Sequence, residues 1–135
     1  MSRDEVGGAG EAGDAAEDRE GFSAYWVELD AAAVLKIQGD LDLSASSALR
    51  ACLLDEVGLD GPPIVLDLSD VPFVDSTCLG VLIGALRRAQ ENRGGLRLAA
   101  AQPRVRRAFE IAALDDIFPM FDSVEEASGA TVPGQ

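Results

Sequence analysis

Between Ile64 and Leu86 the apolar pattern changes period, which confines the chain to folds in which a buried strand feeds almost directly into a helix. Ile64-Val65-Leu66-Asp67-Leu68 is a short, apolar, strand-forming run, whereas Leu79, Leu82, Ile83 and Leu86 recur at helical spacing. At the junction stands Val74-Asp75-Ser76-Thr77-Cys78-Leu79-Gly80. The first N–H groups of a helix lack partners and the dipole there is positive, so Asp75 can cap the helix and a phosphate on Ser76 is tolerated locally. The spacing suits a reversible charge at Ser76. Thr77 is the alternative acceptor, although a plain first-turn role accounts for it as well.

The rest of the chain supplies the neighbours of this strand and helix. Tyr25, Val27 and Leu29 alternate with Trp26 and Glu28, and Val34-Leu35-Lys36-Ile37-Gln38 follows a turn around Asp30 to Ala32, so an antiparallel hairpin is expected. A helix is expected from Ala45 to Val57, with Leu49, Cys52, Leu53 and Val57 on one face, Asp42 and Ser44 as its caps, and Gly58 to Pro63 as its stop. Strand, helix, strand in that order implies a parallel crossover. The second helix should run from Ser76 to Asn92 and end at Gly94-Gly95. Gly80 and Gly84 lie four apart on it, where missing side chains allow close approach to the sheet or to a partner. Leu96 to Ala100 reads as a strand, and Pro103 to Ala113 as a helix with Val105, Ala108, Phe109 and Ala112 in its stripe. Phe118 to Phe121 reads as a short edge strand, and Ser123 with Glu126 as the capping box of a last helix.

The predicted class is therefore α/β. A single domain over residues 22–127 combines an N-terminal antiparallel hairpin and parallel crossovers in one mixed sheet, packed with about four helices. Met1 to Gly21 holds five glycines and four alanines among its charges and reads as a disordered acidic leader, and residues 128–135 read as a flexible tail.

Two segments carry a family resemblance. Asp75, Ser76, Thr77, Leu79 and Gly80 match the signature of the STAS domain of small bacterial anti-sigma factor antagonists, and Cys78 stands where that family usually has glycine. Gly39-Asp40-Leu41-Asp42 resembles the family's Gly-Glu-Leu-Asp turn, with Asp42 on the family aspartate and Asp40 at the preceding acid. The resemblance covers about Tyr25 to Ala127 and implies that this turn lies close to the phosphorylation site. It also implies that the unphosphorylated protein binds an anti-sigma factor, usually a serine kinase, and releases a sigma factor. The kinase would phosphorylate Ser76, and a PP2C-type phosphatase would restore it. Asp40, Asp42, Asp75, Thr77, Cys78 and Gly80 are then expected to face the partner, with Cys78 altering how closely it approaches. A regulatory module of the same fold with a silent Ser76, such as a phosphatase regulator or a subunit of a lipid-transport complex, is the alternative.

Composition narrows the remaining classes. With no histidine, Ser-His-Asp and Cys-His activation, phosphohistidine relays and histidine metal sites are excluded. Cys52 and Cys78 show no metal-ligand spacing and read as small buried thiols; a thiol enzyme using Cys78 would lack a histidine base. No cofactor or metal is expected, and no enzymatic role. The net charge of −13 argues against nucleic acid as a partner. Without an apolar run of about 18 residues no membrane span is expected, and the first 21 residues lack a secretory pattern, which points to the cytoplasm. Monomer is the default state. Arg87, Arg88, Arg93, Arg97, Arg104, Arg106 and Arg107 fall in a span whose only acid is Glu91, and read either as a solvated basic face or as a contact for an acidic partner.

Overall fold

Short connections can only reverse a strand, whereas helical connections return the chain parallel to it, and both rules are visible in the sheet. The computed structural model describes residues 15–19, 22–29, 32–54, 63–91 and 95–129. Six strands among them lie side by side in chain order: β1 (Ala15–Arg19), β2 (Phe22–Leu29), β3 (Ala32–Gly39), β4 (Ile64–Asp70), β5 (Leu96–Ala99) and β6 (Met120–Phe121). The pairs β1–β2 and β2–β3 are antiparallel, and β3–β4, β4–β5 and β5–β6 are parallel. The helices are α1 (Ser46–Leu54), entered through a 3-10 turn at Leu43–Ala45, then α2 (Ser76–Glu91), α3 (Pro103–Ile111) and α4 (Val124–Gly129). The mixed sheet with four helices matches the expected class.

The two faces of the sheet are covered unequally. On one, α1, α2 and α3 bury Leu35, Ile37, Leu66, Leu68 and Leu98 against Leu49, Leu53, Leu82 and Phe109. Phe109 meets Phe118 edge to face, with ring centroids 5.4 Å apart, a geometry worth about 0.5–1.5 kcal/mol beyond area burial. On the other face α4 covers a smaller cluster of Ala32, Val34, Val65, Ala99 and Ala127. There Lys36 Nζ reaches Asp67 at 3.2 Å and Asp70 at 3.3 Å. Burial alone would lower the Lys36 pKa, but the two carboxylates outweigh it and hold the ammonium above its usual value. Arg97, 3% exposed, donates from Nη1 to the Ala127 carbonyl and ties α4 down.

Four expectations need correction. Ala15–Arg19, placed by the sequence in a disordered leader, forms β1 by backbone pairing with β2, although nothing in its composition favours a strand. Ser128, placed in the flexible tail, is buried in α4, which runs to Gly129. Trp26 packs with Phe22 and Ala24 on the three-helix face, while Val27 and Leu29 serve the α4 side, so β2 is covered on both faces. Finally, the arginines after Leu86 do not make one face: Arg97 is internal, Arg106 pairs with Asp122 at 3.4 Å and Arg107 with Glu110 at 3.9 Å. Of the expected helix end at Val57 and its stop at Gly58 to Pro63 only Pro63 is among the described residues, and Arg93, Gly94 and residues 1–14 and 130–135 lie outside them.

Candidate functional site

β4 ends at Asp70, and Val71 and Val74 turn their side chains into the core, so Pro72 and Phe73 are left outside and the chain arrives at α2 from the C-terminal end of an interior strand. Asp75 caps the helix. Its Oδ1 accepts from the Cys78 N–H at 3.0 Å and its carbonyl from the Leu79 N–H at 3.0 Å. A cap of this kind contributes about 1 kcal/mol. Ser76 is the first helical residue and is exposed, as is Thr77 beside it. Among the described residues the Ser76 hydroxyl has no hydrogen-bond partner. Because the carboxylate of Asp75 takes the capping role, that hydroxyl remains available, and the unpaired N–H groups of the first turn can meet a phosphate placed on it.

The Gly39–Leu43 segment lies directly against this helix start. Gly39 turns at φ 104°, a conformation that side-chain-bearing residues rarely adopt, and Leu41 then forms an isolated parallel bridge with Val74. The Leu41 N–H donates to the Phe73 carbonyl at 2.9 Å, and the Asp75 N–H to the Leu41 carbonyl at 2.9 Å. Asp42 caps the 3-10 turn: its Oδ1 accepts from Ser44 Oγ at 2.7 Å and from the Ala45 N–H at 3.2 Å. The Ser44 hydroxyl first, with the Ala45 amide, holds the Asp42 carboxyl below the ordinary carboxylate value. Its capping role therefore holds, and Asp40 is the more exposed acid of the two. The fold thus brings Asp40, Asp42, Asp75, Ser76 and Thr77 to one end of the molecule.

Cys78 is different from what its sequence position suggests. The partner-facing role implied by the resemblance fails and the reading as a small buried thiol holds, since Cys78 is 0% exposed and belongs to the three-helix core. The reason is helical phase, since Cys78 lies four residues before the fully buried Leu82. Its thiol donates to the Asp42 carbonyl at 3.3 Å and so staples α2 to the acidic turn. Burial, then the nearby Asp75 and Asp42 charges, push the thiol up to about 12, the opposite of an activated nucleophile. A thiol enzyme built on Cys78 does not fit this environment. Cys52 is likewise buried.

Gly80 is exposed, and so is Gly84. A Cβ built on either meets nothing within 4 Å, so packing within the described chain does not require these glycines. Each costs a helix interior about 1 kcal/mol relative to alanine. Two residues not singled out by the sequence also flank the site: Leu43 is 69% exposed and Phe73 40% exposed. Their signal was available, a large apolar side chain in each of two polar loops. Among the described residues there is no cluster able to hold a metal ion, and no helix long and apolar enough to cross a membrane.

The chain is similar to known proteins over most of its length. The STAS domain family profile matches residues 26–127. The anti-sigma-B factor antagonist of Bacillus subtilis is 32% identical over 83 residues, which is 62% of this chain and 75% of that protein. The crystal structure of an anti-sigma factor antagonist from Mycobacterium paratuberculosis superposes with a TM-score of 0.71 at 25% identity, covering 78% of this chain and 90% of that one. The Bacillus cell fate determinant SpoIIAA, solved in its phosphorylated form, shares the fold with a TM-score of 0.60 at 23% identity, covering 77% of this chain and 95% of that one.

Proposed function

Because the chain belongs to the STAS domain family, we propose that it acts in the cytoplasm as an anti-sigma factor antagonist whose partner binding is switched by phosphate on Ser76. In this reading the unphosphorylated protein binds an anti-sigma factor with serine-kinase activity and frees a sigma factor. The kinase transfers the γ-phosphoryl group of ATP to Ser76 Oγ, with release of ADP and the hydroxyl proton, and a PP2C-type phosphatase hydrolyses the ester.

The observation that carries the reading is the division of labour at α2, where Asp75 caps and Ser76 stays exposed with its hydroxyl unoccupied. Phosphorylation adds about 1.5 to 2 negative charges at neutral pH. The free protein tolerates them at a helix N-terminus. In a closed interface they lose water beside Asp75, Asp40 and Asp42, and a penalty of about 3 kcal/mol there weakens binding roughly a hundredfold. Leu43 and Phe73 would supply apolar contact around this charged centre.

The test is intact-mass and fragment analysis after incubation with ATP and each kinase-type anti-sigma factor of the source cell. One phosphate on Ser76 supports the assignment. Phosphate on Thr77 instead contradicts it in favour of the alternative acceptor, and partner capture with no phosphate contradicts it in favour of the silent-site module.

A further inference from the structure

Ser76, Gly80, Gly84 and Arg88 form one i, i+4 row along the exposed side of α2. Such rows are the ridges and troughs by which helices pack, and with glycine at its two central positions this one is a trough. Gly80, Gly84 and Arg88 of this row line a groove of about 300 Å³ between α1 and α2, where among the described residues Arg50, Arg87 and Arg88 meet one acid, Glu91. Arg50 and Arg87 make no ion pair among the described residues. In a chain of net charge −13, this is a local reversal of sign.

We propose that this groove is a second docking element, which receives an acidic helix of the anti-sigma partner. The inference rests on the antagonist reading above. The occupant is a helix because the trough follows helical ridge spacing, and acidic because the groove presents arginines in an otherwise acidic protein. Both glycines are then explained by an external surface, since nothing inside the described chain needs them. The geometry also extends the switch: a phosphate on Ser76 stands at the head of the trough, directly in line with a helix lying along it.

The test is titration of the purified anti-sigma kinase that modifies Ser76 against the full chain and three variants. Gly84→Gln fills the trough and, with open space around its Cβ, keeps or raises the melting temperature. Its affinity should fall at least tenfold. Arg50→Glu combined with Arg87→Glu should lose a similar factor, with the loss shrinking at high salt. Ser76→Asp is the control for the switch. If both groove variants bind within twofold of the parent while Ser76→Asp is weakened, the groove proposal is overturned and the switch stands. If the groove variants are weakened and Ser76→Asp is not, the groove stands and the switch falls. Tighter binding on deletion of residues 1–14, reproduced in the full chain by Gly84→Gln, would make the chain's own acidic segment the occupant and overturn the proposal. Self-association abolished by Gly84→Gln would do the same for a second copy.

Discussion

Helices α2 and α4 both begin with a side-chain cap, yet the capping atom differs. At α4 the Ser123 hydroxyl accepts from the Glu126 N–H at 3.0 Å, and the Glu126 carboxylate accepts from the Asp122 N–H at 3.1 Å. This is the expected capping box, with the return bond made one residue earlier than in the usual form. At α2 the same role falls to the Asp75 carboxylate, and the serine comes one position later, exposed and without a bond among the described residues. Phosphate on Ser123 would have to break a cap; phosphate on Ser76 would not. The second difference is attachment. The α2 start is bonded to a separate loop through Leu41 and the Cys78 thiol, so a charge placed there acts on two segments at once.

The largest stability effect expected from this comparison is at the staple. Cys78→Gly removes a buried side chain, a hydrogen bond and helix propensity together, and should cost about 2 kcal/mol. For a domain of this size that is a fall of about 10 °C in thermal unfolding. Cys78→Ser, which retains a donor for the Asp42 carbonyl, should lose less. An unchanged melting temperature in Cys78→Gly would break the claim that the thiol ties the two segments.

Next come the two caps. Ser123→Ala and Asp75→Ala should each cost about 1 kcal/mol in denaturant unfolding. Only Asp75→Ala should also weaken the kinase partner in a titration. Equal loss of affinity in both would erase the distinction between the two helix starts.

Two pH effects are smaller. The Cys78 thiol is pushed up from 9.0 to about 12 in the folded protein, so the fold keeps a proton that the unfolded chain gives up. Stability from this source is complete below about pH 9 and lost as the pH rises towards 12. Iodoacetamide at pH 8.5 should therefore spare Cys78 until the protein unfolds, and rapid alkylation of the folded protein would contradict the burial. Asp42 runs the other way. Its carboxyl is lowered from 3.8, so its contribution is complete above that value and fades as the pH falls below it. Asp42→Asn should slightly flatten the acid limb of a stability profile, an effect visible only in careful melts.

Legibility in the sequence followed physical cause. The start of α2 could be read because one carboxylate and a 3.6-residue apolar period both point to it, and α2 indeed begins at Ser76. The parallel crossovers were legible for the same reason, since β4 and α2 differ so plainly in period. By contrast, β1 is Ala-Ala-Glu-Asp-Arg, a strand held by backbone pairing, which leaves no trace in side-chain pattern. Trp26 was assigned away from the buried set because alternation identifies two faces but not which is covered, and in β2 both are. The burial of Cys78 is legible from its residue type and from its spacing to Leu82, and it conflicts only with the partner-facing role implied by the resemblance. Closeness of the acidic turn to Ser76 was expected only through a family resemblance; the Leu41–Val74 bridge is its physical cause.

The central claim is that one phosphate on Ser76 changes partner affinity without changing the fold. The direct measurement is a calorimetric titration of the anti-sigma kinase, without ATP, into the unphosphorylated protein and into protein carrying phosphate only on Ser76. The account requires a dissociation constant raised about a hundredfold or more by the phosphate, with circular dichroism and melting temperature nearly unchanged. Equal affinities for the two forms, or a phosphorylated form that has lost its structure, would contradict it.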